Sequence, residues 1–135
     1  MLVVNPVGLA VIGSTGVIGK VHIAAIHKLN NCRLVGIYAR RQSLLCEQAV
    51  ALGVEGFSSL EAVCDAPEVD AIVIATPHPS HLEIASQAAK AGKHVLVEKP
   101  ISVTPAEADV MVEICRTNNV KLGVLFNNRF RSESQ

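Results

Sequence analysis

Three glycines stand in the segment Gly13-Ser14-Thr15-Gly16-Val17-Ile18-Gly19, directly after a short apolar run. One glycine permits a tight turn, the next lets backbone approach a pyrophosphate, and the last lets a helix pack on a strand. N–H groups exposed at a helix start, aided by the helix dipole, then hold phosphate oxygens. The segment lies between a strand pattern and a helix pattern, inside a βαβ unit of about 30 residues, as that chemistry requires. Its spacing is GxxGxxG, one residue longer than GxGxxG between the first two glycines. Gly13, Ser14, Thr15, Gly16, Val17 and Ile18 are therefore candidate dinucleotide ligands, with Gly19 beneath them.

The end of the second apolar run selects between dinucleotides. An NAD site places an Asp or Glu there, bonded to the ribose 2′-OH. This chain has Tyr38-Ala39-Arg40-Arg41 and no acid before Glu47. Arginines bind phosphate through paired, charge-assisted hydrogen bonds. Arg40 and Arg41 thus read as a clamp on the 2′-phosphate of NADP, with NAD use left open. The alternative is a pair of solvated loop arginines. Charge is also skewed along the chain. Residues 1–46 hold five cations and no acid, and the remainder sets seven cations against twelve acids. Such a skew suits an anionic ligand near the N-terminus.

Three further polar clusters close apolar runs: Thr76-Pro77-His78-Pro79-Ser80-His81, Glu98-Lys99-Pro100 and Asn127-Asn128-Arg129. Ligands of open parallel sheets lie beyond the carboxyl ends of the strands, so all three should meet over one crevice. Lys99 is a cation at a strand end, beside a proline that restricts it. His78 and His81 join the candidates, although a histidine just inside a helix start also serves as a packing or capping residue.

The elements that must position these residues follow from periodicity. Runs at 7–13, 34–38, 71–75, 94–97 and 122–126 are rich in Val, Ile and Leu on successive residues. Strands buried on both faces, between helical layers, read this way. A weaker strand is predicted at 54–57. Helices are predicted near 17–29, 42–52, 58–65, 80–91 and 105–118. Ser58 with Glu61, Ser80 with Glu83 and Thr104 with Glu107 match capping boxes. Pro105 suits a first helical position, and Gly53 and Gly92 suit left-handed helix terminations. The order β-α-β-α-β-α-β-α-β-α-β predicts an α/β fold, a doubly wound parallel Rossmann sheet of about six strands. Residues 1–126 form one dinucleotide-binding domain in this reading. Residues 127–135 form a tail that would lead into a C-terminal substrate domain, with 131–135 unstructured.

Composition narrows the function classes. The chain has 135 residues, zero formal charge, 50% hydrophobic and 3% aromatic residues, and no Trp. Disorder is excluded by the apolar content. Zero charge gives no electrostatic case for nucleic acid, and few aromatics leave no stacking platform for single strands. Cys32, Cys46, Cys64 and Cys115 form no CxxC pair and no zinc spacing. They read as reduced, mostly buried thiols. Residues 1–19 carry no charged side chain, yet Asn5, Pro6 and four glycines suit a membrane span poorly. A cytoplasmic protein without membrane or nucleic-acid partners is expected.

With these residues in place, the sequence resembles the N-terminal domain of the Gfo/Idh/MocA oxidoreductases, the glucose–fructose oxidoreductase and inositol dehydrogenase family. The resemblance covers nearly the whole chain. Its most specific stretch is 70–101, DAIVIATPHPSHLEIASQAAKAGKHVLVEKPI, with TPxxxH and EKP at the family's separation. GxxH at Gly19–His22 and NxRF from Asn127 add to it. The resemblance implies that Gly13, Gly16 and Gly19 cradle the pyrophosphate. Thr76, Pro77 and His78 would lie along the cofactor toward its nicotinamide half, and His81 is counted with them. Lys99 would reach both nicotinamide and substrate, orient the substrate hydroxyl and assist proton transfer. Glu98 would contact a cofactor ribose or support the lysine. Asn127 and Arg129 would border the substrate side.

The implied reaction is hydride transfer between NADP(H) and a hydroxyl-bearing carbon of a sugar, cyclitol or related polyol. Members of the family are far longer, and a second, sheet-rich domain supplies their acid–base Asp and His. This chain is therefore expected to be a cofactor half that binds nucleotide without turning over substrate. Exposed apolar surface would favour a homo-oligomer. Two rivals remain. Short-chain dehydrogenases need Tyr-x-x-x-Lys, but the single tyrosine, Tyr38, is followed by Gln42 at that spacing. A non-catalytic nucleotide-sensing or assembly module could use the same fold, though it would have no need of Glu98-Lys99-Pro100.

Overall fold

The structure is a computed structural model that describes residues 5–126. Its strands form where apolar residues are consecutive. β1 (Val7–Ile12) is followed by α1 (Val17–His27), β2 (Cys32–Tyr38) and α2 (Gln42–Leu52). Then come β3 (Glu55–Gly56), α3 (Leu60–Asp65), β4 (Ala71–Ile74), a 3₁₀ turn (His78–Ser80) and α4 (His81–Lys90). β5 (His94–Glu98), α5 (Pro105–Thr117) and β6 (Leu122–Leu125) complete the order. All strand pairs are parallel, in the order β3-β2-β1-β4-β5-β6. That is the doubly wound dinucleotide-binding order, with its switch point between β1 and β4.

Alternation along the strands feeds two cores. Ala10 and Ile12 face the layer of α3, α4 and α5, with Ile72, Ile74, Val95 and Val97. Val11, Ile37 and Val73 face α1 and α2, where Ile23, Ile26, Leu45 and Ala49 meet them. Burying each Val, Leu or Ile side chain contributes about 1.5–3 kcal/mol. Ala85, Ala88 and Ala89 are fully buried, so α4 lies close against the sheet. Register aligns the strand ends. Ile12 pairs with both Tyr38 and Ile74, and Ile74 pairs with Val97. The segments after β1, β2, β4 and β5 therefore open at one level.

The helix ends correct three sequence readings. α3 is capped by Ser59, not Ser58: its hydroxyl accepts from the Ala62 N–H at 3.0 Å. Ser80 does not cap α4. Residues 78–80 already turn as a 3₁₀ element, so its hydroxyl points back and donates to the Pro77 carbonyl at 2.7 Å. The strand expected at 54–57 is only two residues long, Glu55–Gly56. Thr104 caps α5 as expected, but Glu107 turns back to the residue before the cap rather than to the cap's own N–H. Thr104 Oγ1 accepts from the Glu107 N–H at 3.2 Å, and Glu107 Oε2 accepts from the Val103 N–H at 3.1 Å. Gly53 closes α2 in the left-handed region at φ 66°.

The four cysteines are free thiols, but only Cys64 and Cys115 are buried, while Cys32 is half-buried and Cys46 exposed. Burial pushes the Cys64 and Cys115 thiols up, with Asp65 adding to the shift at Cys64. Among the described residues, no helix is long and apolar enough to cross a membrane. None of their His, Cys, Asp and Glu side chains group to hold a metal ion.

Candidate cofactor site

The glycines of the first turn have three different reasons to be glycine. Gly13 sits at φ 84°, and a Cβ there would stand 2.7 Å from the Ala75 carbonyl oxygen. Its N–H donates to the Tyr38 carbonyl at 2.8 Å, which fastens the turn to the end of β2. At Gly19 a Cβ would collide with the Gly13 carbonyl, so helix and turn can close only around a hydrogen. Gly16 differs. It is extended, at φ −76° and ψ 167°, and a Cβ there would meet only the Gly13 oxygen, at an ordinary 3.5 Å. Nothing in the fold requires glycine at that position.

Gly16 is also the N-cap of α1, which has no side-chain cap and no acid in its first turn. Its leading N–H groups lack intrahelical partners and carry the positive end of the helix dipole. α3 and α5, by contrast, are capped by Ser59 and Thr104 and carry an early glutamate. The α1 terminus is thus free for an anion.

A cleft of about 480 Å³ opens beside it, within the usual range for ligand pockets. One wall is Ile12, Gly13, Thr15 and Gly16. A second is Tyr38, Ala39, Arg40 and Arg41 after β2. A third is Ala75, Thr76, Pro77, Pro79 and Ser80 after β4, with Ile84 behind. Arg40 and Arg41 are exposed and form no ion pair among the described residues. Arg41 is the N-cap of α2, again without a side-chain cap or an early acid. Thr76 Oγ1 lies 2.7 Å from Ser80 Oγ. The one Ser80 proton goes to Pro77, so Thr76 donates to Ser80 and keeps its lone pairs for a ligand donor.

The cleft therefore brings together Gly13, Thr15, Gly16, Arg40, Arg41, Thr76 and Pro77 of the predicted set. The other candidates lie outside its lining. Val17 and Ile18 are exposed on the first turn of α1, and His78 is exposed on the 3₁₀ turn. Ser14 is turned inward and fully buried, with its hydroxyl unpartnered. His81 is buried, and its ring nitrogens face the carbonyls of Pro100 and Thr76 at 3.0 and 2.9 Å. The ring nitrogen that carries the proton donates to the carbonyl it faces. Glu98 is buried and lies 2.6 Å from His22 Nε2. Lys99 is exposed just beyond β5. Asn127 and Arg129 lie outside the described residues.

Two participants escaped the sequence reading. His22 had a signal, the GxxH spacing, but no role until α1 packed beside β5. Gln48 had none. Its Nε2 donates to the Ser14 carbonyl at 2.9 Å, so α2 holds the glycine turn from below.

Comparison with known proteins converges on this arrangement. The family model of oxidoreductases with an NAD-binding Rossmann fold matches residues 7–126. The chain is 34% identical over 123 residues to the myo-inositol 2-dehydrogenase of Thermotoga maritima, covering 90% of this chain and 36% of that protein. The WlbA dehydrogenase of Bordetella pertussis, solved with NADH and UDP-GlcNAcA, superposes with a TM-score of 0.90 at 33% identity, over 97% of this chain and 40% of that one. The biliverdin reductase of Synechocystis, solved with biliverdin and NADP+, superposes at 0.82 and 28% identity, over 89% and 38%. The chain spans little more than a third of the length of the curated relatives it matches.

Proposed function

The chain belongs to the Gfo/Idh/MocA oxidoreductase family, and from that premise we propose that it is the cofactor half of a dehydrogenase. Its cofactor is NADP(H), with NAD(H) the weaker ligand, and its substrate is a sugar, cyclitol or related polyol. One observation carries the reading: a single cleft joins the glycine turn, the arginine pair and the Thr76-Pro77 segment. The uncapped start of α1 holds the pyrophosphate. Arg40 and Arg41, with no carboxylate beside them, take the 2′-phosphate. Solved relatives carry NADH in one case and NADP+ in another, so the arginines decide the preference.

When bound, the nicotinamide ring supplies the site that gives or takes hydride. The chain's own part is to orient and to move a proton. Lys99, exposed at the end of β5, orients the substrate hydroxyl and assists its proton transfer. The substrate class is supported by relatives named as dehydrogenases of inositol and of a sugar phosphate. Their greater length supports a second domain that completes the substrate pocket. The 135-residue chain then binds nucleotide but does not oxidise polyols unaided. Exposed Val17, Ile18 and Val21 along α1 support association of copies of the isolated chain.

The test is a calorimetric titration of this chain with NADPH and, separately, NADH. Tighter NADPH binding by about tenfold, or ~1.4 kcal/mol, is expected. Equal binding would remove the arginine clamp. Absence of binding by either would remove the cofactor reading for the isolated chain.

A further inference from the structure

Lys99 has no anchor of its own. It is exposed, and among the described residues its side chain makes no hydrogen bond or ion pair. A lysine ammonium rides on a flexible four-carbon stem, so its reach is set by the backbone that carries it. The two residues flanking Lys99 in the chain each meet a histidine. On the N-terminal side, Glu98 points its buried carboxylate at His22 Nε2 of α1, 2.6 Å away. On the C-terminal side, the Pro100 carbonyl lies 3.0 Å from His81 Nδ1 of α4. The same ring reaches the Thr76 carbonyl with Nε2, at 2.9 Å.

Neither histidine is placed as mere filling. His81 is almost fully buried, where an apolar side chain would pack as well. An apolar residue would leave both inward carbonyls without a donor, whereas the imidazole N–H donates to one of them. Both carbonyls belong to strand-end segments, one after β4 and one after β5. His22 is set on the helix whose start the glycine turn builds, and it reaches across to the strand that ends in Lys99. The two ties therefore join the walls of the cleft to the residues flanking Lys99.

We infer that His22 and His81 are positioning residues for Lys99, anchoring the Glu98 carboxylate and the Pro100 carbonyl on either side of it without touching cofactor or substrate. The inference rests on the reading of Lys99 as the residue that meets the nicotinamide end of the ligand. Aim is what such a lysine needs, because small displacements of a reacting group are costly.

The experiment uses the whole 135-residue chain with its lysines ¹³C-dimethylated, Lys99 being assigned by Lys99→Ala. In the wild type, saturating NADP+ should move the Lys99 methyl signal. In His22→Leu that response should be lost, while the nucleotide Kd changes by less than about threefold. His22→Gln should restore it, because a carboxamide N–H can donate to Glu98. His81→Gln should weaken the response, since its single nitrogen cannot stand where both ring nitrogens do. Loss of packing alone would lower the melting temperature without rescue by the polar variant. The inference is overturned if His22→Leu and His81→Gln fold and keep the wild-type Lys99 response. Should His22→Leu fail to fold, His22→Asn, polar but too short to reach Glu98, takes its place.

If the wild-type chain binds no nucleotide, the functional reading fails separately. The tie is then judged on the unliganded chain by ¹⁵N relaxation of the Lys99 amide. Loosening in His22→Leu but not in His22→Gln would support it, and equal order in all three would overturn it.

Discussion

Replacing Gly16 with serine should raise or preserve stability while it lowers nucleotide affinity. A Cβ at this position meets only the Gly13 oxygen at 3.5 Å, so no overpacking cost arises. The backbone is extended, at φ −76° and ψ 167°, which any residue adopts. Position 16 is the N-cap of α1 and lacks a side-chain acceptor. Serine supplies one, and a hydroxyl in place of glycine there is favourable by a few tenths of a kcal/mol. The same hydroxyl occupies the N–H groups assigned to the pyrophosphate, and its Cβ stands where the phosphates must approach. A loss of about tenfold in NADPH affinity, ~1.4 kcal/mol, is expected. Gly19→Ala is the contrast. Its Cβ would strike the Gly13 carbonyl and sit 2.9 Å from Ser14 Cα, an overpacking that costs about 1–3 kcal/mol. Thermal unfolding by calorimetry reads one effect and titration with NADPH reads the other. Undiminished affinity in Gly16→Ser would place the phosphates elsewhere. A melting temperature that falls as far as in Gly19→Ala would mean that the fold itself demands glycine at 16.

Three further outcomes are expected. Arg40→Ala with Arg41→Ala should weaken NADPH by about tenfold and NADH far less; equal losses in paired titrations would rule out a 2′-phosphate contact. Thr104→Ala removes the hydroxyl that accepts from Glu107 N–H and should cost about 1 kcal/mol, seen as a lower melting temperature with unchanged nucleotide affinity. The Cys64 and Cys115 thiols are pushed up by burial. Their stabilising effect is therefore present below the ordinary thiol range and lost as pH rises through their folded values. In a disulfide-exchange assay near neutral pH, exposed Cys46 should react at once and Cys32 more slowly. Cys64 and Cys115 should react only on unfolding, and rapid reaction of all four would contradict the buried assignment.

What could be read along the chain were features whose cause is local. Consecutive apolar residues at 9–12 and 72–74 mark strands buried on both faces, because burial of both faces removes alternation from the sequence itself. The glycine turn, Pro105 and Thr104 are legible for the same reason: a left-handed φ, a missing N–H or a capping hydroxyl acts within a few residues. The register of the sheet then brings Arg40, Thr76 and Gly16 to one cleft, and parallel winding makes that convergence predictable from strand ends alone. Competing caps already strain this logic. Ser58 and Ser59 are both able to cap, and the choice of Ser59 depends on where α3 meets the sheet. Ser80 carries the right spacing to Glu83, yet the 3₁₀ turn ahead of α4 spends its hydroxyl on Pro77. Which distant residues would pair had no local signature. His22 meets Glu98 across 76 positions, Gln48 reaches Ser14 across 34, and His81 reaches Pro100 across 19. A polar side chain in a helix carries no mark of which carbonyl or carboxylate will face it. Only the packing of α1, α2 and α4 against the sheet decides that, by removing water and setting His22, Gln48 and His81 against their partners.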